Sequence, residues 1–198
     1  MDPIQIIEII AATIGILYVV LEMKASMWLW PVGIVLPLFY MYISWVSGIY
    51  GNIAVNIYYL LACIWGWWMW KRRAAKGKAE DRILRAGSRT MAILAGITVV
   101  GAIVVRALFV RYTDNPQPTW DAVATMLSMV GMWLLGKKYI ENWYCWISSN
   151  AIYCFIFLAQ KYYITGAFYV VYTIVAVMGL IMWRRMMEKE SERETKPL

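Results

Sequence analysis

Runs of about 18 or more mostly apolar residues recur from one end of this 198-residue chain to the other, each long enough to cross a lipid bilayer. A chain that is 62% hydrophobic and 16% charged, with a mean hydropathy of +0.58, lacks the polar surface a soluble domain of this length requires. Inside lipid the backbone must satisfy its own hydrogen bonds, so such runs fold as helices. The pattern predicts seven, over residues 4–21, 28–46, 50–70, 91–110, 120–135, 143–160 and 163–183. The expected fold class is an all-α integral membrane protein with seven transmembrane helices. The opening MDPIQIIEIIAATIGILYVV reads as the first of them, because Asp2 stands where a secretory leader carries basic residues.

The net charge of +7 is explained by placement. Of 19 lysines and arginines, 16 fall on one side of this arrangement: Lys24, the eight from Lys71 to Arg89, Lys137, Lys138 and five in the C-terminal tail. Arg111 and Lys161 fall on the other side, and Arg106 lies near one end of the fourth helix. The positive-inside rule then puts the N-terminus outside and the C-terminus in the cytoplasm. The long basic loop reads as a topology determinant touching anionic lipid, and nucleic acid is not expected as a partner. The charged tail EKESERETKPL reads as unstructured. Cys63, Cys145 and Cys154 lie in apolar segments and suit packing better than disulfides or metal. The chain has no histidine, no H-E-x-x-H and no G-x-S-x-G. Neither an enzyme nor a cofactor is expected, and no metal site.

A shift of 113 residues lays the chain on itself without a gap. Trp30 falls on Trp143, Tyr40 on Tyr153, Tyr50 on Tyr163, Tyr59 on Tyr172, Gly66 on Gly179, Trp70 on Trp183 and Arg72 on Arg185. Glu8 falls on Asp121. Equivalent helices are four crossings apart, so the two halves run in the same direction. The plan is 3+1+3: a first three-helix repeat (1–72), a basic linker with a connecting helix (73–119), a second repeat (120–185) and a charged tail (186–198). Parallel repeats about an axis along the membrane normal are one transporter architecture, that of the SWEET proteins, with substrate held between the halves.

The stretch WYCWISSNAIY raises the functional question, since it sets Trp143, Trp146 and Asn150 at i, i+3 and i+7. An asparagine amide in the hydrocarbon zone needs partners that lipid cannot offer. The two indoles are either a packing seam or a platform for a flat ring. Helix three carries Asn52, Asn56, Tyr59 and Cys63 on one face, with Asn56 the deeper amide and Asn52 also suited to capping the helix start. Tyr59 and its mate Tyr172 could aim hydroxyls into a shared cavity or bond between helices. Asp121, Thr125 and Ser128 share a stripe on helix five, and Asp121 suits either the helix start or attraction of a cation at the mouth. Trp65, Trp67, Trp68, Trp70 and Trp183 read mostly as interfacial anchors. A buried acid pair that would suggest ion coupling is not evident. A retinal receptor would need a lysine in the last helix, and residues 163–183 have none.

The segments WPVGIV…GIYGN…NIYYLLACIWGWWMW and WDAVATMLSMVGMWLLGKKYIENWYCWISSNAIY resemble the Pnu family of bacterial vitamin transporters, which includes nicotinamide riboside and thiamine importers. The resemblance covers nearly the whole chain. It implies facilitated diffusion across a bacterial inner membrane, with substrate trapped by a cytoplasmic vitamin kinase, and it leaves room for a second copy of the chain as partner. It also implies that Trp143, Trp146 and Asn150 contact substrate, and the helix faces add Asn56, Tyr59, Tyr172, Asn52 and Asp121 as candidate contacts. Nicotinamide riboside carriers of the family show an amide in helix two and a glutamine in helix three, where this chain has Leu36 and Asn56. That departure leans the expected substrate to thiamine, with nicotinamide riboside as the alternative.

Overall fold

The computed structural model describes residues 3–46, 50–77 and 81–195 and is all-α. Among the described residues seven helices follow one another: α1 (Pro3–Met23), α2 (Leu29–Val46), α3 (Tyr50–Ala75), α4 (Ser88–Tyr112), α5 (Pro118–Gly136), α6 (Asn142–Ala159) and α7 (Tyr163–Thr195). The seven expected helices are all found. The largest difference is the tail, which continues α7 as helix to Thr195 instead of being unstructured. Extending an existing helix avoids the cost of nucleation, and the Glu, Lys and Arg of this segment are good helix formers.

Among the described residues four segments are long and apolar enough to cross a membrane: Leu29–Val46, Ile53–Ala75, Ser88–Tyr112 and Tyr163–Glu192. Helix α5 is not among them, and the reason is burial. The most apolar span, α4, has a hydropathy of 2.5 and buries only Leu94. Helix α5 buries ten residues, including Thr125 and Ser128. A helix shielded from lipid by its neighbours can carry polar groups that an outer helix cannot.

The chain divides into two compact units, residues 1–82 and 83–198. In the first, α2 packs on both α1 and α3. In the second, α4 packs on α5, α5 on α6 and α6 on α7, so the connecting helix belongs to this unit. The final residues of the basic linker belong here too. Leu84 pairs in parallel with Tyr139: its N–H donates to the Lys138 carbonyl at 2.9 Å, and its carbonyl accepts from Ile140 at 2.9 Å. The Ala86 N–H donates to Glu141 Oε2 at 2.9 Å. Ala86 and Tyr139 then pack on the cluster of Leu94, Val130, Leu134 and Cys145. The linker is thereby strapped to the α5–α6 turn.

The two units share details at the same 113-residue offset. Helices α1 and α5 end at Met23 and Gly136, α2 and α6 span Leu29–Val46 and Asn142–Ala159, and α3 and α7 start at Tyr50 and Tyr163. Beyond α1 and α5 the chain turns through Ala25 (φ 48°) and Lys138 (φ 56°). The Ser26 N–H donates to the Leu21 carbonyl at 2.9 Å, and the Tyr139 N–H donates to the Leu134 carbonyl at 2.9 Å. Both are Schellman-type helix ends closed by a left-handed residue. Trp30 meets Trp70 edge to face at 5.3 Å, and Trp143 meets Trp183 edge to face at 5.7 Å. A β-carbon on Gly66 would fall within the Trp30 ring, and one on Gly179 within the Trp143 ring. Trp70 and Trp183 are fully buried, so they are packing partners and not interfacial anchors.

Candidate functional site

The three residues of the α6 motif do not act as one face. Residues three apart on a helix diverge by about 60°, enough to face different neighbours when the helix is packed on both sides. Trp143 turns to α7, where its ring lies over Gly179 and against Trp183, and it is 1% exposed. It occupies the packing seam. Trp146 turns to α5 and leans on Gly131, where an added β-carbon would stand 3.6 Å from the indole. Trp146 is half-buried, and its Nε1 has no hydrogen-bond partner among the described residues. Asn150 is half-buried one turn further along α6. The fold thus leaves an indole N–H and a neighbouring amide on α6.

The two units treat this position in opposite ways. At the 113-residue offset Gly33 corresponds to Trp146, and Tyr18 to Gly131. In unit 1 the ring of Tyr18 on α1 lies against Gly33 of α2, whereas in unit 2 Trp146 of α6 lies against Gly131 of α5. The ring and the glycine exchange helices. Equivalent positions therefore present different chemistry, an indole in one unit and a phenol in the other.

The remaining expected site residues fall as follows. Asn56 is buried at 7% exposure and Tyr59 half-buried, with its ring 5.6 Å from that of Tyr58. The side chain of Asn52 lies outside the described residues, as does that of Glu8. Tyr172 is exposed and meets Tyr169 edge to face at 5.9 Å. Asp121 does not cap α5: the N-cap is Gln117, whose side chain makes no cap hydrogen bond and whose N–H donates to Asn115 Oδ1 at 2.8 Å. Its carboxylate accepts instead from Asn115 Nδ2 at 2.6 Å and from Thr125 Oγ1 at 3.4 Å. The Thr125 hydroxyl also lies 3.2 Å from that of Tyr153. Ser128 is satisfied within its own helix, donating to the Ala124 carbonyl at 2.9 Å.

Two residues escaped the sequence reading. Tyr153 joins the Asp121 network from α6, and its signal was weak because a tyrosine in an apolar run reads as packing. Glu22 is 4% exposed and is the charged side chain buried in unit 1 among the described residues. It lies one helical turn from Tyr18, whose ring also approaches Cys63 across Gly33. Its signal was an acid four residues from a tyrosine in an otherwise apolar segment, and an intramembrane acid marks function by default.

Four apolar spans among the described residues, with buried amide and hydroxyl groups within the units, define the class, a multi-pass helical membrane protein. The comparisons with known proteins agree. The model of the nicotinamide mononucleotide transporter family matches residues 5–185. The chain belongs to that family, the Pnu family of vitamin transporters. The nicotinamide riboside transporter PnuC of Escherichia coli (strain K12) is 28% identical over 159 residues, 68% of this chain and 66% of the relative, just under two thirds of its length. The riboflavin/roseoflavin transporter RibM of Streptomyces davaonensis (strain DSM 101723 / JCM 4913 / KCC S-0913 / 768) is 26% identical over 197 residues, 96% of this chain and 88% of the relative. The crystal structure of the vitamin B3 transporter PnuC has the same fold, with a TM-score of 0.72 and 23% identity over 95% of this chain and 84% of that one. The lean to thiamine finds no support among these relatives, which carry nicotinamide riboside or riboflavin. A missing amide at Leu36 and a shorter one at Asn56 were too slight to assign the substrate.

Proposed function

We propose that this protein carries nicotinamide riboside across a bacterial inner membrane by facilitated diffusion, without catalysis of its own, and that a cytoplasmic kinase traps the product. The observation that carries the reading is the family match over residues 5–185, together with an indole and an amide one turn apart on α6. A planar cationic ring stacks well on an indole. A carboxamide needs a polar partner of matching shape, and Asn150 offers one. The matched helix ends and the paired Trp–Gly wedges support a 3+1+3 plan of two parallel repeats, similar to the SWEET architecture. In this reading Trp146 and Asn150 touch the ligand, and Trp143 holds α6 against α7.

The test is uptake of labelled nicotinamide riboside into sealed liposomes holding only this protein. Uptake should equilibrate with the outside concentration and stop there. Riboflavin entry without nicotinamide riboside entry would replace the substrate, and conversion of substrate in detergent solution would replace the class.

Orientation gives a further prediction, motivated by the 16-to-2 split of basic residues. An impermeant thiol reagent added outside cells should label a cysteine introduced at Thr113. The same reagent should reach one introduced at Ser191 only after the cells are opened. The reverse pattern would invert the topology.

A further inference from the structure

The structure joins α5, α6 and α7 by one continuous set of contacts at the end of unit 2 that carries the α4–α5 and α6–α7 turns. In the orientation proposed above this is the outer end. Asp121 sits half-buried in the first turns of α5, where the positive end of the helix dipole favours a carboxylate. Its hydrogen-bond partners are neutral: the Asn115 amide at 2.6 Å, the Thr125 hydroxyl at 3.4 Å and the Tyr153 hydroxyl. Neutral donors fix a carboxylate in place without cancelling its charge. Of the two arginines toward the end of α4, Arg106 donates instead to Thr119 at 2.9 Å, and Arg111 in the last turn is exposed.

An aromatic wall adjoins the carboxylate. The Tyr153 ring lies 5.2 Å from that of Tyr169, and Tyr169 stacks on Phe157 at 5.3 Å with the planes 12° apart. Tyr172 meets Tyr169 edge to face. Tyr153 belongs to both arrangements, since its hydroxyl reaches Thr125 and its ring continues the wall. An oriented carboxylate beside the electron-rich faces of tyrosines attracts a flat organic cation by two additive terms, charge and quadrupole. It offers nothing comparable to a neutral ring of the same size.

We propose that Asp121, Thr125 and Tyr153 form an outer vestibule that selects cationic ring compounds over neutral ones before the ligand reaches Trp146 and Asn150. Asp121 supplies the charge, while Thr125 and Tyr153 are positioning residues that hold it toward the aromatic wall. The inference rests on the transport reading for its role in the cycle, but not for the binding itself. The family includes carriers of a cation, nicotinamide riboside, and of a neutral compound, riboflavin, so a device of this kind would set which class enters.

The experiment separates the two dependences. Equilibrium dialysis with purified protein would compare 1-methylnicotinamide, a cation, with nicotinamide, its neutral parent. The cation should bind about three- to tenfold more tightly, a preference that weakens with salt. Asp121→Asn should remove the preference and Asp121→Glu should restore part of it. Thr125→Val and Tyr153→Phe should reduce it while keeping the charge. In liposomes Asp121→Asn should raise the KM for nicotinamide riboside by a similar factor and change kcat by less than about twofold. Equal binding of the two probes to the wild type, or a preference that survives Asp121→Asn, would overturn the vestibule. A cation preference lost in Asp121→Asn, with no uptake of nicotinamide riboside at all, would keep the vestibule and overturn the transport reading. Thermal unfolding of each variant shows whether a loss of binding is only a loss of fold.

Discussion

Trp143→Ala should lower the stability of the second unit by about 3–5 kcal/mol, the scale for removing a buried tryptophan. The indole is 1% exposed, lies over Gly179 and meets Trp183 edge to face at 5.7 Å, so its removal leaves a cavity bounded by α7. The reciprocal change fails for the opposite reason. Gly179→Ala would push a methyl group into the Trp143 ring, and overpacking of this kind costs about 1–3 kcal/mol or more. Trp30→Ala and Gly66→Ala should behave alike in the first unit, where Trp30 is fully buried over Gly66. Denaturant unfolding in detergent, followed by tryptophan fluorescence, reads all four. A Trp143→Ala protein that unfolds like wild type yet fails to bind ligand would move this indole from the seam to the site.

Trp146→Ala should do the reverse, weakening ligand binding by about 1–3 kcal/mol while unfolding close to wild type. That range corresponds to roughly 5- to 150-fold in affinity. Trp146 is half-buried and leans on Gly131, whereas Trp143 is almost fully buried. Stacking is lost with the ring, whereas little of the bundle depends on it. Asn150→Leu should weaken nicotinamide riboside binding as well, because a carboxamide then loses its polar partner while the helix keeps an apolar side chain of similar size. Calorimetric titration of both variants with nicotinamide riboside checks the pair. Wild-type affinity in both would place the ring site away from α6.

The contrast between two tryptophans three residues apart shows how far spacing carries. Their identity, their membership of one helix and their repeat mates were all readable from the chain. Which neighbour each would face was not, because a helix packed on both sides has two interiors. Spacing of i and i+3 turns the residues about 60° apart, and only the positions of α5 and α7 convert that angle into two separate roles. The same limit hid Tyr153, whose hydroxyl matters only because α5 brings Thr125 within 3.2 Å of it.

By itself the sequence determined seven helices, their order, the 113-residue correspondence and the family, since each depends on hydropathy and residue type along one dimension. It also favoured one orientation through the placement of its basic residues. Tertiary structure alone decided that α5 is largely buried, that the linker is strapped to the α5–α6 turn, and that the charged tail prolongs α7. It alone divided the tryptophans between seam and site. Burial, partner and direction belong to neighbouring helices, and a side chain's own place in the chain does not contain them.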